Sequence, residues 1–273
     1  MWDPDRYLDF EQHRRRPVDD LLARITTDPV RRIVDLGCGP GQLTDRLAER
    51  WPGAAITAVD RDPAMLERAR TRPSAARVDY VEADIGEWQP ATSVDLVFSN
   101  AALHWLPHHM DLLETYLHWL SPGGTLAVQI PGNTDAASHR VVAELRRSER
   151  WAAAVGEGAD DHVAVAEPAD YARRLGALRA EVDVWESTYL HLLAGSDPVV
   201  TWLTGSTLRP VLAALTPVDH AAFVAELTDR LRPHYPTDAT GQTVFAFRRI
   251  FLVARRPTRP VRTDDSRECV PPA

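Results

Sequence analysis

The sequence contains no lysine, and all 31 of its basic residues are arginine. That absence excludes Schiff-base catalysis, a lysine general base and the lysine of a phosphate-binding P-loop. Cysteine is nearly missing as well. Cys38 and Cys269 alone cannot build a disulfide framework or a thiolate metal cluster. No run of about 18 apolar residues is available to span a bilayer, and the opening MWDPDRYLDFEQ lacks the apolar stretch of a secretory signal. Positive charge is not in excess: 39 acidic against 31 basic residues leave a net charge of −8, the wrong sign for binding that rests on neutralising nucleic acid. The expected setting is the reducing cytoplasm.

What is present is enough apolar material for a sizeable core, 44% of 273 residues, in a pattern that alternates strand-length runs with helical periods. Strands are expected at Arg31–Leu36, Ala55–Val59, Arg77–Glu82, Val94–Ser99 and Thr125–Ile130. Helices are expected at Gly41–Arg50, from Asp62-Pro63 to Arg70, and from Pro107 until Pro122-Gly123-Gly124. That alternation reads as an α/β domain with a parallel sheet. The second half reads differently. Residues 133–178 are helical in character, Glu181–Leu192 and Val244–Val253 read as strands, and Ser196-Asp197-Pro198 caps a further helical stretch. The long connection at about 193–243 must carry structure of its own. The expected organisation is one domain over 1–256 with that helical insertion, followed by a polar, proline-rich tail over 257–273 expected to be disordered.

The most informative stretch is VDLGCGPGQLT, residues 34–44. A strand, a glycine-rich turn and a helix start bring backbone N–H groups close to a ligand. The dinucleotide spacing G-x-G-x-x-G fails in both frames, ending at Gln42 or Thr44, and a P-loop needs a lysine. Asp35-Leu-Gly37-Cys-Gly39-Pro-Gly41 instead resembles the first motif of class I S-adenosylmethionine-dependent methyltransferases. That resemblance implies a doubly wound, Rossmann-like sheet of seven strands, the last antiparallel, with S-adenosylmethionine as cofactor. It also places Asp35 toward the cofactor amine, Asp60 in ITAVDRD on the ribose hydroxyls and Asp84 in YVEADIGEW on the adenine amine. Arg61, Met65 and Ile85 would flank the adenine, and Asn100 would lie by the methionine moiety. Taken singly, each acid also reads as a turn or N-cap residue; Met65 and Ile85 read equally well as core. Cys38 reads as a small buried residue in the turn.

The acceptor is narrowed by what surrounds these motifs. No N-P-P-Y-like stretch follows the fourth strand, where Asn100-Ala-Ala-Leu-His104-Trp105 stands instead, and no acids cluster for a divalent metal. A carboxylate acceptor is ionised at pH 7 and needs no general base, so no catalytic side chain is expected beyond those that position. FSNAALHWLPHH, GGTLAVQIPGN, VDVWESTYLHLL and VTWLTGSTLRPVL, together with the N-terminal stretch, resemble the trans-aconitate 2-methyltransferase family over about Met1–Arg256. The resemblance implies methylation of one carboxylate of trans-aconitate; the expected partner is a small-molecule polycarboxylate rather than nucleic acid or membrane, and the expected state is a monomer or weak homo-oligomer. It points to Tyr7, His104, Trp105, Gln129 and Arg209 as the acid's contacts. Tyr7 also reads as packing on the sheet, Trp105 as core and Arg209 as a surface ion pair, while Arg14-Arg15-Arg16 reads mostly as a solvated helix face, with one arginine a candidate contact of the acid or the cofactor carboxylate. The segment 157–166, EGADDHVAVA, is more acidic than a lid over a tri-anion should be. Three alternatives remain: a methyltransferase for another acid, one for a nitrogen or carbon acceptor, and a non-catalytic S-adenosylmethionine-binding regulator.

Overall fold

The computed structural model describes residues 11–156 and 165–258. Tyr7, most of the acidic segment and nearly all of the C-terminal tail lie outside the described residues.

Seven strands form one sheet: β1 Arg32–Leu36, β2 Ala55–Asp60, β3 Val78–Glu82, β4 Val94–Asn100, β5 Leu120–Pro131, β6 Glu181–Ala194 and β7 Gln242–Arg255. Their order is β3-β2-β1-β4-β5-β7-β6. Strands β1 to β5 pair in parallel, while β7 runs antiparallel between β5 and β6. The expected seven-stranded fold with an antiparallel last strand is the one observed. Because the chain winds outward from β1 in one direction and resumes at β4 on its other side, β1 and β4 flank the topological switch point, where open α/β sheets bind ligands at their carboxyl ends.

The central strands are apolar on both faces because helices cover both. On one face Val34, Val97, Val128, Ile250 and Leu252 pack with Leu113, Tyr116, Tyr171 and Leu175 of the helices His109–Trp119 and Pro168–Ala177. On the other, Ile33, Phe98, Ala127 and Phe251 pack with Val18, Leu21 and Leu22 of the helix Glu11–Ala23 and Leu47 of the helix Gln42–Arg50. Each fully buried leucine contributes about 2 kcal/mol.

Two helical segments that the sequence separates share a third core. Val141, Leu145 and Trp151 pack with Trp202, Leu203, Phe223 and Leu227, and Phe245 and Phe247 of β7 complete the cluster. The roof above the carboxyl ends is therefore one body built from the helices Ala137–Arg147, Ala152–Val155, Pro198–Thr204, Arg209–Ala214 and Pro217–Leu231.

Three local readings are corrected. The helix expected from Pro107 begins at His109. Pro122-Gly123-Gly124 does not precede β5 but lies inside it: Gly123 takes φ 82°, the register with β4 shifts between Val94 and Leu96, and Gly123 N–H and Gly124 C=O both bond to Arg256. A bulge absorbs the turn-like residues without ending the strand. Asp197 sits at a helix start but makes no capping hydrogen bond at φ 50°. Its carboxylate instead accepts two hydrogen bonds from Arg232, at 2.9 and 3.0 Å.

Candidate active site

The loop after β1 is shaped by its glycines. Gly37 has φ 74°, and a Cβ there would stand 2.3 Å from Ala102 Cβ, so the loop touches the segment after β4 only because no side chain intervenes. Gly37 and Cys38 donate their N–H groups to Val59 C=O at 2.8 and 3.1 Å. Gly39, at φ 54°, has open space where a Cβ would point. This open face belongs to a cavity of about 1630 Å³ that runs from the glycine loop to the helical roof.

The acids at the strand ends are held by backbone amides. Asp60 accepts from Gly39 N–H at 2.8 Å and from Asp62 N–H at 2.9 Å. Burial raises its pKa, and these amide bonds pull it back toward the ionised form. Asp62 caps the helix Pro63–Ala69 through Ala64 N–H at 3.0 Å. Asp84 accepts from Gly86 N–H at 2.8 Å. Asp60, exposed Arg61, buried Met65, Asp84 and buried Ile85 all line the cavity with Gly37 and Gly39.

Asp35 and Gly41 take other places. Asp35 lies beneath the loop, 2% exposed, where its carboxylate accepts from Thr44 Oγ1 at 2.6 Å. Burial, opposed by that bond and assisted by the charge of Asp60, pushes its pKa up to about 7. Gly41 starts the helix Gln42–Arg50 against Ala69. Burial pushes the Cys38 thiol up as well, which leaves it unsuited to act as a nucleophile.

The opposite wall comes from β4, β5, β7 and the roof. Half-buried Asn100 ends β4, and its buried Oδ1 has no hydrogen-bond partner among the described residues. His104 and Trp105 follow in a short turn with ring centroids 4.9 Å apart and line the cavity. Arg209, at the start of its helix, lines the cavity and pairs directly with Asp62 at 3.5 Å. Gln129 is fully buried behind the wall and accepts from Arg249 Nη1 at 2.8 Å. Arg249 itself lines the cavity, as do Asn133, Thr134, His139 and Thr207. None of these five was picked out from the sequence. The signal for Arg249 was there: consecutive arginines in VFAFRRIFLVA interrupt an apolar strand, and alternation sends one of them to each face.

Chemically, one wall offers carboxylate and amide acceptors to a ligand rich in hydroxyl and amine donors, and the other offers guanidinium and imidazole groups to an anion. No group of three or more metal-ligating side chains gathers among the described residues, and no described helix is long and apolar enough to cross a membrane.

Fold and cavity together define an S-adenosylmethionine-dependent methyltransferase, and residues 33–124 match a family model described as a methyltransferase domain. Curated relatives named trans-aconitate 2-methyltransferase from Streptomyces avermitilis and Mycobacterium tuberculosis are 49% and 47% identical, covering 93% of this chain and 97% and 96% of theirs. One from Rhodococcus jostii is 45% identical over 93% of this chain and 99% of its own. The chain belongs to the trans-aconitate 2-methyltransferase family. Among solved structures, the YcgJ protein of Bacillus subtilis matches with a TM-score of 0.60 at 14% identity, covering 88% of this chain and 97% of that one. The [4+2]-cyclase SpnF matches with 0.54 at 20% identity, covering 89% and 81%. These two share the fold alone, and a cyclase among them illustrates that the fold does not fix the reaction.

Proposed function

We propose that this chain transfers a methyl group from S-adenosylmethionine to a carboxylate of trans-aconitate, giving the monomethyl ester and S-adenosylhomocysteine. The observation that carries the reading is the single cavity with two unlike walls: the glycine loop with Asp60 and Asp84 on one side, arginine and histidine on the other. The names of the relatives supply the particular acid.

The residues present suit this cofactor: Gly39 leaves open space above the loop, Asp60 is fixed by two amides, and Asn100 Oδ1 is a buried acceptor still to be satisfied. Bound S-adenosylmethionine supplies an electrophilic methyl on a sulfonium. In this reading Asp60 accepts the ribose hydroxyls, Asp84 accepts the adenine amine, Met65 and Ile85 flank the ring beside Arg61, and Asn100 accepts from the ammonium. Asp35 acts from below, holding Thr44 and the loop. His104 and Arg209 bind the acid's carboxylates and Trp105 walls the pocket. No side chain has to move a proton, since the attacking carboxylate is already ionised. Acceleration comes from alignment and from removing water around opposed charges.

The test is product detection by mass across trans-aconitate, cis-aconitate, citrate, isocitrate, fatty acids and amines. Fast turnover confined to trans-aconitate and near analogues is expected. Binding of S-adenosylhomocysteine with no acid methylated refutes the carboxylate reading. Arg209→Ala should raise KM for the acid about 10-fold with cofactor affinity unchanged, a modest effect because Arg209 is 39% exposed and shares its charge with Asp62.

A further inference from the structure

We propose that the buried pair His109 and Tyr171 positions the acid-binding turn by clamping Leu103–Trp105 to the helix Pro168–Ala177; this rests on the reading above of His104 and Trp105 as contacts of the acid. The two residues belong to the stretches HWLPHHM and PADYARRL and stand 62 positions apart. Tyr171 and Leu175, one helical turn apart, face the core. His109 opens the helix His109–Trp119, shortly after the turn.

Both side chains are polar and neither reaches solvent, His109 being 2% exposed and Tyr171 0%. Buried imidazole and hydroxyl groups have to be paired, and here each pairs with the other: Tyr171 Oη lies 2.7 Å from His109 Nε2. On its other side the imidazole reaches back to its own turn, with Nδ1 3.2 Å from Leu106 C=O. A carbonyl only accepts, so Nδ1 carries the proton and Nε2 accepts from the Tyr171 hydroxyl. The backbone of Ala166 bonds to the same phenol oxygen, which leaves the hydroxyl hydrogen to His109. Burial lowers the pKa of His109 against the pull of the Leu106 bond, and burial raises that of Tyr171. At neutral pH the imidazole is therefore uncharged and the phenol protonated. Charged side chains on and beside the two helices pair with one another: Arg174 with Asp111 and Glu114, Arg173 with Asp170, and Arg248 with Glu167.

Leucine and phenylalanine would fill these two places without the cost of burying polar groups. What the polar pair adds is a fixed distance and direction. Both ends of the hydrogen-bonded chain open on the cavity, since Leu106 lines it at one end and Val165, next to Ala166, at the other. Ala102, at the start of the turn, is pinned against Gly37. His104 and Trp105 are thus held between two anchors, and the His109–Tyr171 bond is the outer one.

The experiment compares wild type with Tyr171→Phe, His109→Leu, the double variant and His109→Gln. Melting curves and S-adenosylhomocysteine titration first confirm that each folds, and cofactor affinity should change less than threefold. Leaving one buried group unpaired should raise KM for trans-aconitate about 10-fold in Tyr171→Phe and in His109→Leu, with kcat changed less. The double variant should cost no more than either single one, because both remove the same bond. His109→Gln, which offers an uncharged acceptor in place of Nε2, should bring KM back to within threefold of wild type. A lower melting temperature with KM unchanged in both single variants marks a purely structural pair and overturns the proposal. So does a KM in His109→Gln no better than in His109→Leu. Amide exchange of the S-adenosylhomocysteine complex needs no acid and so separates the clamp from the reaction. Faster exchange at residues 102–109 and 165–171 in Tyr171→Phe, with β1 and β4 unchanged, supports the clamp even where no acid is methylated. Unchanged exchange there refutes it. Should His109→Leu not fold, Tyr171→Phe decides by KM and exchange.

Discussion

Asp60 is the side chain on which the proposed cofactor wall turns, because two backbone amides fix its carboxylate at the cavity edge. Asp60→Ala removes charged hydrogen bonds to a ligand, so S-adenosylhomocysteine affinity should drop about 100-fold by calorimetry; retained affinity would undo the ribose assignment. Asp35 offers a different prediction, in pH. Its carboxyl titrates at about 7 in the fold against 3.8 when unfolded. Between those values the native state keeps a proton that the unfolded state has lost, so this group's contribution to stability is full below about pH 4, falls as pH rises to about 7, and is level beyond. Asp35→Asn abolishes the titration. The melting temperature of wild type relative to Asp35→Asn should fall by about 5–10 °C between pH 5 and pH 8. A difference that does not vary with pH removes Asp35 as the source. Asp35 was legible in the sequence as part of the motif, but its place under the loop was not, since that depends on Thr44 folding back across nine residues.

At the scale of elements, the glycine loop separates two kinds of glycine. Gly37→Ala forces a Cβ onto Ala102 and should destabilise the fold by about 2–4 kcal/mol, read as a lower urea midpoint. Gly39→Ala meets open space and only the strain of a left-handed backbone, about 1 kcal/mol. That variant should fold and yet bind S-adenosylhomocysteine poorly, because the new methyl enters the cavity. Normal binding would place the cofactor elsewhere. This loop, β1 and the places of Asp60 and Asp84 were readable because each is written in a contiguous string. The acceptor wall was not. Arg249 meets Gln129 across 120 positions of sequence, and no local pattern announces that pairing. Strand β5 was misjudged at its start for a related reason: Pro-Gly-Gly looks like a stop, and only the neighbouring Val94–Asn100 strand and Arg256 turn it into a bulge.

For the whole molecule, the roof behaves as one body because two sequence segments share one core around Trp202, which stacks on His191 with centroids 5.1 Å apart. Trp202→Ala should cost about 3–5 kcal/mol locally. Amide exchange should then speed up in residues 137–155 and 198–231 together, while the sheet around β1 and β4 keeps its protection; acceleration confined to residues 198–231 would show the segments to be independent. The arrangement has a consequence for biosynthesis. The proposed cofactor residues are encoded between residues 37 and 100, whereas the opposite wall is completed only by β7, which slots between β5 and β6 after both exist. A nascent chain leaving the ribosome therefore completes the proposed cofactor wall before β7 brings Arg249 to the cavity. A chain cut short before residue 242 would lack the strand that joins β5 to β6 and the β7 residues of all three cores.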